Sequence, residues 1–257
     1  MRTPASNAPL RHAGALVEGQ RITLDAACAR GLRFRQINPK EAFTLVDVDG
    51  KFFRASLSTL DEDGGSAVVF EAMRRSTESS ARITLFCAVL ARQRMLGVVQ
   101  KATELGVERV VPVITERSVQ RAGLAHEKAH AWPGQALRAA RQCRRASVPD
   151  VRDAVPFASA LDDAFLVGAE ARYYLDDRTE TPLAMPGEGL GGPGSASGTT
   201  RIALVVGPEG GFSDEERRLL DARDAVALCF GGRVLRAETA VLVGLTLLQR
   251  AFGDFAS

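Results

Sequence analysis

From residue 83 onward the chain alternates short apolar runs with helix-patterned segments, and nothing else in it restricts the fold as much. Residues 83–90, 107–113, 172–175, 202–206 and 225–230 read as strands, whereas 94–105, 136–145, 215–223 and 237–252 carry helical patterning. Alternation of this kind implies a parallel sheet covered by helices. The expected class is α/β.

Residues 20–70 have a different grain. Two alternating runs, 43–48 and 51–57, flank Asp49-Gly50, a dipeptide that closes tight hairpins. A small β domain is therefore expected over residues 1–75, followed by a polar, Ser-rich stretch at 74–80 and an α/β domain over 80–257. Residues 181–200 hold six glycines and three prolines, the composition of a surface insertion. The longest apolar stretches, 83–90 and 239–248, fall short of the roughly 20 residues of a membrane helix. The polar start lacks the apolar centre of a secretory signal, and the expected location is the cytoplasm.

The net charge of +2 hides an uneven distribution. Residues 1–81 sum to +1, residues 82–152 to +8 and residues 153–257 to −7. So basic a middle segment suits a phosphate-rich partner, or a surface facing an acidic part of the same molecule.

Metal and redox chemistry find little support. The four cysteines, Cys28, Cys87, Cys143 and Cys229, show no Cys-x-x-Cys spacing. His126-Glu-Lys-Ala-His130 has the spacing of a zinc-protease motif, but the segment is rich in Ala, Lys and His and stops at Trp132-Pro133, without the apolar helix face such a site needs. It reads as an exposed helix, and no metal is expected.

Two glycine-rich loops stand out. Gly207-Pro-Glu-Gly-Gly-Phe-Ser213 follows strand 202–206 and precedes a helix opened by Ser213-Asp-Glu-Glu216, which has capping-box spacing. Gly231-Gly-Arg-Val-Leu-Arg-Ala-Glu-Thr239 follows strand 225–230 and precedes the apolar segment 240–248. Glycines let a ligand approach the backbone, and α/β proteins bind ligands at the carboxyl ends of strands. G-x-G-x-x-G is absent, and no lysine follows to make a phosphate loop. Taken singly, each loop also fits a structural turn; together they suggest two walls of one pocket.

These two loops, with Gln100-Lys-Ala-Thr-Glu-Leu-Gly-Val107, Pro112 and Thr115-Glu-Arg-Ser118, resemble the RsmE family of ribosomal RNA methyltransferases, over about residues 80–257 and in the expected order. The resemblance implies an N-terminal PUA-like β-barrel that binds RNA, a C-terminal SPOUT α/β domain with a trefoil knot, a homodimer, and S-adenosylmethionine as cofactor. It implies methylation of N3 of a uridine in 16S ribosomal RNA of the small ribosomal subunit. Cofactor contacts would come from Leu175, Asp176, Gly207, Pro208, Glu209, Gly210, Gly211, Gly232, Val234, Leu235, Arg236 and Thr239. Arg236 would be the catalytic cation and Glu238 a base or an orienting partner; Arg33, Arg94, Lys101, Arg117, Arg141, Arg144 and Arg145 would face RNA. No metal and no membrane are implied. The alternatives are a SPOUT methyltransferase acting at another RNA position and a non-catalytic RNA-binding protein of the same fold. The chain departs from the family in its opening, Met1-Arg-Thr-Pro-Ala-Ser6, in Arg30-Gly-Leu-Arg33, which lacks a preceding histidine, and in Arg141-Gln-Cys-Arg-Arg145, where relatives tend to read Glu-Gln-Cys-Gly-Arg.

Overall fold

The computed structural model describes residues 7–177 and 200–256. The expected surface insertion, apart from Thr200, and the atypical opening Met1–Ser6 lie outside the described residues. The chain divides into two compact units, Met1–Glu78 with Leu137–Asp150, and Ser79–Ala136 with Val151–Ser257.

The first unit is built on a five-stranded sheet. Its strands are β1 (Leu10–Arg11), β2 (Arg21–Leu24), β3 (Ala42–Val46), β4 (Phe52–Leu60) and β5 (Gly65–Ala72), in the order β1-β3-β4-β5-β2. β3 and β4 form the expected hairpin around Asp49-Gly50, with Gly50 at φ 78, a value that glycine adopts without strain. Helix α1 (Ala26–Phe34) was not expected from the sequence. Its signal is local: the Asp25 carboxylate accepts from the Cys28 amide at 2.7 Å and caps the helix. Leu32, Leu45, Leu57 and Val69 fill the core of this unit.

Residues 137–150 belong to the same unit and are held by polar contacts. Arg145, its side chain only 6% exposed, pairs with Glu78 at 2.8 Å. The other Glu78 oxygen accepts from the Ser147 amide at 3.0 Å, and Thr77 Oγ1 accepts from the Ala146 amide at 3.1 Å. Burial alone would raise the Glu78 pKa, but Arg145 and Ser147 outweigh it and hold the carboxyl below its usual range.

The second unit carries a parallel sheet. Its strands are β6 (Arg82–Ala88), β7 (Arg109–Ile114), β9 (Val155–Pro156), β10 (Ala171–Leu175), β11 (Arg201–Val206) and β12 (Val226–Leu228); the two-residue strand β8 (Asp150–Val151) falls on the division between units. The order runs β12-β10-β11-β6-β7, with β9 also paired to β7. The central strands are buried almost throughout because side chains are covered on both sides. Leu85, Cys87, Leu204 and Val206 face a cluster containing Met95, Val99, Val241 and Leu245. Phe86, Ala203 and Val205 face the opposite cluster with Phe157, Leu161 and Leu220. Period-two alternation thus sorts one continuous apolar run into two cores. The first is covered by α2 (Arg92–Glu104) and α7 (Ala237–Phe252), the second by α4 (Phe157–Leu161), α5 (Ala164–Val167) and α6 (Asp214–Asp221).

Two expectations are corrected. Residues 126–130 are not an exposed helix: Lys128 lies at φ 53, and a 3-10 turn, Ala129–Ala131, leads into α3 (Trp132–Gln142). Pro133 suits the first turn of a helix, so the helix starts there. That helix also stops before residue 145, because Arg144 has φ 63 and cannot continue it.

Glu78→Gln should destabilise the protein by about 3 kcal/mol at neutral pH, as expected when one partner of a largely buried pair is lost. The Glu78 pKa is depressed on folding, so its contribution is full above the unfolded value and disappears as pH falls through the folded one. Urea titrations at pH 7 and pH 3 should therefore show wild type and variant converging in acid.

Candidate active site

Strands β10, β11 and β12 are paired so that Leu175 lies opposite both Val206 and Leu228. Their carboxyl ends therefore stop at one level, and the described residues that follow them, 176–177, 207–212 and 230–235, surround an open cleft of about 620 Å³, solvent at its mouth included. This is where an open parallel sheet binds ligands.

The loop after β11 is shaped by glycines. A Cβ on Gly207 would stand 3.1 Å from the buried Phe212 ring, so a side chain there would push strand and ring apart by a few tenths of an ångström. Gly211 lies at φ 68, and its amide donates to the Pro208 carbonyl at 2.9 Å. Phe212 anchors the loop, packed edge-on to Tyr174 and tilted against Phe157.

Polar groups lock this loop from below. The Ser213 side chain caps α6, and Glu216 closes the box by accepting from the Ser213 amide at 2.9 Å. The second Glu216 oxygen accepts from the Glu116 amide at 2.9 Å, and Arg117 Nη1 donates to the Gly210 carbonyl at 2.8 Å. The Thr115-Glu-Arg-Ser118 motif is thereby tied to the glycine loop. On the next strand, Asp176 has a side chain 5% exposed and is held by the Arg217 guanidinium, which also pairs with Asp214 at 3.1 Å. Burial, then the hydrogen bond to Asp221, pushes the Tyr174 phenol well above its ordinary pKa.

Of the residues expected around the cofactor, Leu175, Asp176, Gly207, Pro208, Glu209, Gly211, Val234 and Leu235 line the cleft, whereas Gly210, Gly232, Arg236 and Thr239 do not. Arg236 is the N-cap residue of α7, exposed, and flanked by the cleft-lining Leu235 and Ala237. Glu238 sits in the first turn of α7, with Oε2 buried and lacking a hydrogen-bond partner among the described residues, and with Arg94 Nε at 3.9 Å. Sequence reasoning missed Asp177, Arg233 and the apolar floor, Val206, Phe212, Leu228 and Phe230. Position could have found the floor, because Val206, Leu228 and Phe230 lie at the ends of the strands whose loops were singled out and Phe212 lies within one of those loops.

The seven expected RNA-facing cations are spread over both units. Arg94 pairs with Glu209 at the cleft and Lys101 with Glu104 at 2.8 Å, while Arg117 is bonded to Gly210. In the first unit, Arg33 donates to the Glu62 carbonyl at 3.0 Å, and Arg141 pairs with Glu41 at 3.0 Å. Arg144 stands 3.7 Å from Glu71, and Arg145 is committed to Glu78 inside the unit.

Residues 77–249 match the family described as RNA methyltransferase domain. The ribosomal RNA small subunit methyltransferase E of Aquifex aeolicus is 26% identical over 232 residues, covering 90% of this chain and 95% of the relative. Its namesake from Synechocystis is 28% identical over 231 residues, 89% of this chain and 72% of the relative. Among solved structures, a ribosomal RNA small subunit methyltransferase E from Neisseria gonorrhoeae bound to S-adenosyl methionine aligns with a TM-score of 0.64 and 29% identity over 96% of this chain and 99% of that one. A methyltransferase from Legionella pneumophila in complex with the bound cofactor SAM aligns with a TM-score of 0.63 and 29% identity over 95% and 98%. With two glycine loops at one strand-end cleft and a match spanning 77–249, the chain belongs to the RNA methyltransferase domain family, in its ribosomal RNA small subunit methyltransferase E (RsmE) branch.

Proposed function

We propose that this chain methylates N3 of a uridine in 16S ribosomal RNA of the small subunit, using S-adenosylmethionine held in the strand-end cleft. The observation that carries the reading is the cleft between β10, β11 and β12, in a chain whose relatives are named for methylation of small-subunit ribosomal RNA and include structures solved with this cofactor.

The cleft fits the cofactor in its chemistry. Gly207 and Gly211 leave the backbone bare where a Cβ or an ordinary φ would fill or redirect the loop. Leu175, Val206 and Phe230 give an apolar floor suited to the apolar parts of a ligand, and Asp177 adds a carboxylate beside Asp176 and Glu209, which are themselves paired with Arg217 and Arg94. When bound, S-adenosylmethionine supplies an electrophilic methyl group on a sulfonium.

The residues of the chain do the rest. Arg117 and Arg94 hold the 207–211 loop, and Arg217 holds Asp176, so the cleft walls are oriented in advance. Arg236, at the rim, stabilises the negative charge that develops on the uracil as N3 loses its proton. Glu238 is the one carboxylate on the same helix, and its buried oxygen, without a hydrogen-bond partner among the described residues, supports a role in accepting that proton or in orienting Arg236. The target base has to leave its stack to reach the cleft.

The finer features of the fold belong to the same proposal. The order β1-β3-β4-β5-β2 supports a PUA-like β-barrel over residues 1–75, with Arg33, Arg141 and Arg144 facing RNA. A SPOUT trefoil knot within residues 80–257 is supported by the return of α7, which follows edge strand β12 yet packs on α2 and β11. Val234, 78% exposed at the cleft rim, supports a homodimer in which a second copy covers it. The place of action is the cytoplasm, where small subunits are assembled.

Arg236→Ala should lower methyl transfer by about two to three orders of magnitude while the cofactor dissociation constant stays within about twofold; calorimetry and a tritium-transfer assay read the two separately. Mass spectrometry of ribosomal RNA from cells with and without the protein should show one methylated uridine lost, and an unchanged spectrum refutes the assignment. RNA affinity should fall steeply with salt, and replacing Arg141 and Arg144 with glutamine should reduce the log–log slope by about two.

A further inference from the structure

Away from the cleft, the outer face of the first sheet carries a row of polar side chains that the proposed chemistry does not use. Thr44, Arg54 and Glu71 occupy neighbouring positions on β3, β4 and β5, paired Thr44 to Arg54 and Arg54 to Glu71. Residue 144 lies over this row. Thr44 Oγ1 donates to the Arg144 carbonyl at 2.8 Å and accepts from Arg54 Nη1 at 3.0 Å, while Arg144 Nη1 is 3.7 Å from Glu71. Between them is a small recess open to solvent, all within the first unit, whose wall includes Arg35, Arg54, Arg141, Arg144 and Arg145.

The charges on this wall do not balance. Glu41, Glu71 and Glu78 lie within ion-pair distance of Arg141, Arg144 and Arg145 respectively. Arg35 is buried and donates to the carbonyls of Gly31, Ala8 and Ala146. Arg54 has Thr44 as its hydrogen-bond partner, and its other N–H groups have none among the described residues. Burial, and then repulsion from Arg144, lowers the Arg54 pKa, and the attraction of Glu71, which Arg54 faces across the strands and shares with Arg144, does not offset them. Two guanidiniums that repel each other beside a recess are stabilised by an anion placed between them. A guanidinium fork matches the oxygens of a phosphoryl group.

We propose that this recess seats one phosphoryl group, gripped by Arg54 and Arg144 with Arg141 beside them, and that Thr44 is the positioning residue that aims Arg54. The seat itself stands on these contacts alone; taking the RNA backbone as the source of the phosphoryl group rests on the function proposed above. Residue 144 is informative in a second way. Its backbone lies at φ 63, a conformation that glycine adopts freely and arginine does not, so the guanidinium is held here at a conformational cost.

The test uses the full chain and two variants, Arg54→Gln and Arg144→Gly. The second removes a guanidinium while relaxing the backbone, so it keeps the test meaningful if the first folds poorly. Inorganic phosphate at about 10 mM, at ionic strength matched with chloride, should raise the wild-type melting temperature by a few degrees, and this rise should disappear in both variants. Affinity for a 16S ribosomal RNA fragment should fall about tenfold in each variant, with the salt slope reduced by about one and cofactor affinity unchanged. A response to phosphate alone identifies free phosphate as the occupant, and a response to RNA alone identifies the backbone; both uphold the seat. If wild type melts identically in phosphate and in chloride, and both variants bind RNA as wild type does, the proposal is wrong. A phosphate response in a protein that transfers no methyl group leaves the seat standing and removes the proposed reaction.

Discussion

Three parallel strands ending at one level are the constraint from which the rest of the second unit follows. β6 and β11 are buried on both faces, so their register is set by which side chains enter which core, and a slip of one residue would exchange the two sets. β10 and β12 inherit that register through pairing with their neighbours. Asp176 and Asp177 after Leu175 and the loops leaving Val206 and Leu228 therefore meet where the strands stop. The cleft is a product of packing elsewhere, and its walls gain their precision from cores that touch no ligand.

What the packing brings together, polar contacts make rigid. A glycine-rich loop left to itself would sample many conformations, since glycine loses more freedom on ordering than any other residue. Here Phe212 pins one end in a core, Arg117 and Arg94 hold the middle, and the capping box fixes the start of the following helix. The family resemblance placed two of these residues, Arg94 and Arg117, on the RNA side. Their contacts show a prior commitment to the loop.

The long periodic segments could be read from the chain alone. Helix 237–252 and the strands around 83, 202 and 226 appear close to where their patterns put them, because burial imposes a period that short-range chemistry cannot hide. The glycine loops could be read for a related reason, since strand, bend and cap are all local. Helix α1 was missed because its cap is a single Asp25 and its nine residues are embedded in strand-like neighbours. The grouping of residues 137–150 with the first unit could not be seen either. It depends on Glu78, Ser147 and Arg145 meeting across nearly seventy residues, and one sequence does not record such a meeting.

The Glu216 carboxylate divides its two oxygens between the amide that begins its own helix and the amide of Glu116 in another loop. A group shared in this way ties the two segments through one side chain, because any movement that withdraws Glu216 takes the acceptor from both amides at once. The 115–118 loop and the head of α6 thus lean on one carboxylate, and a change at residue 216 reaches both of them together.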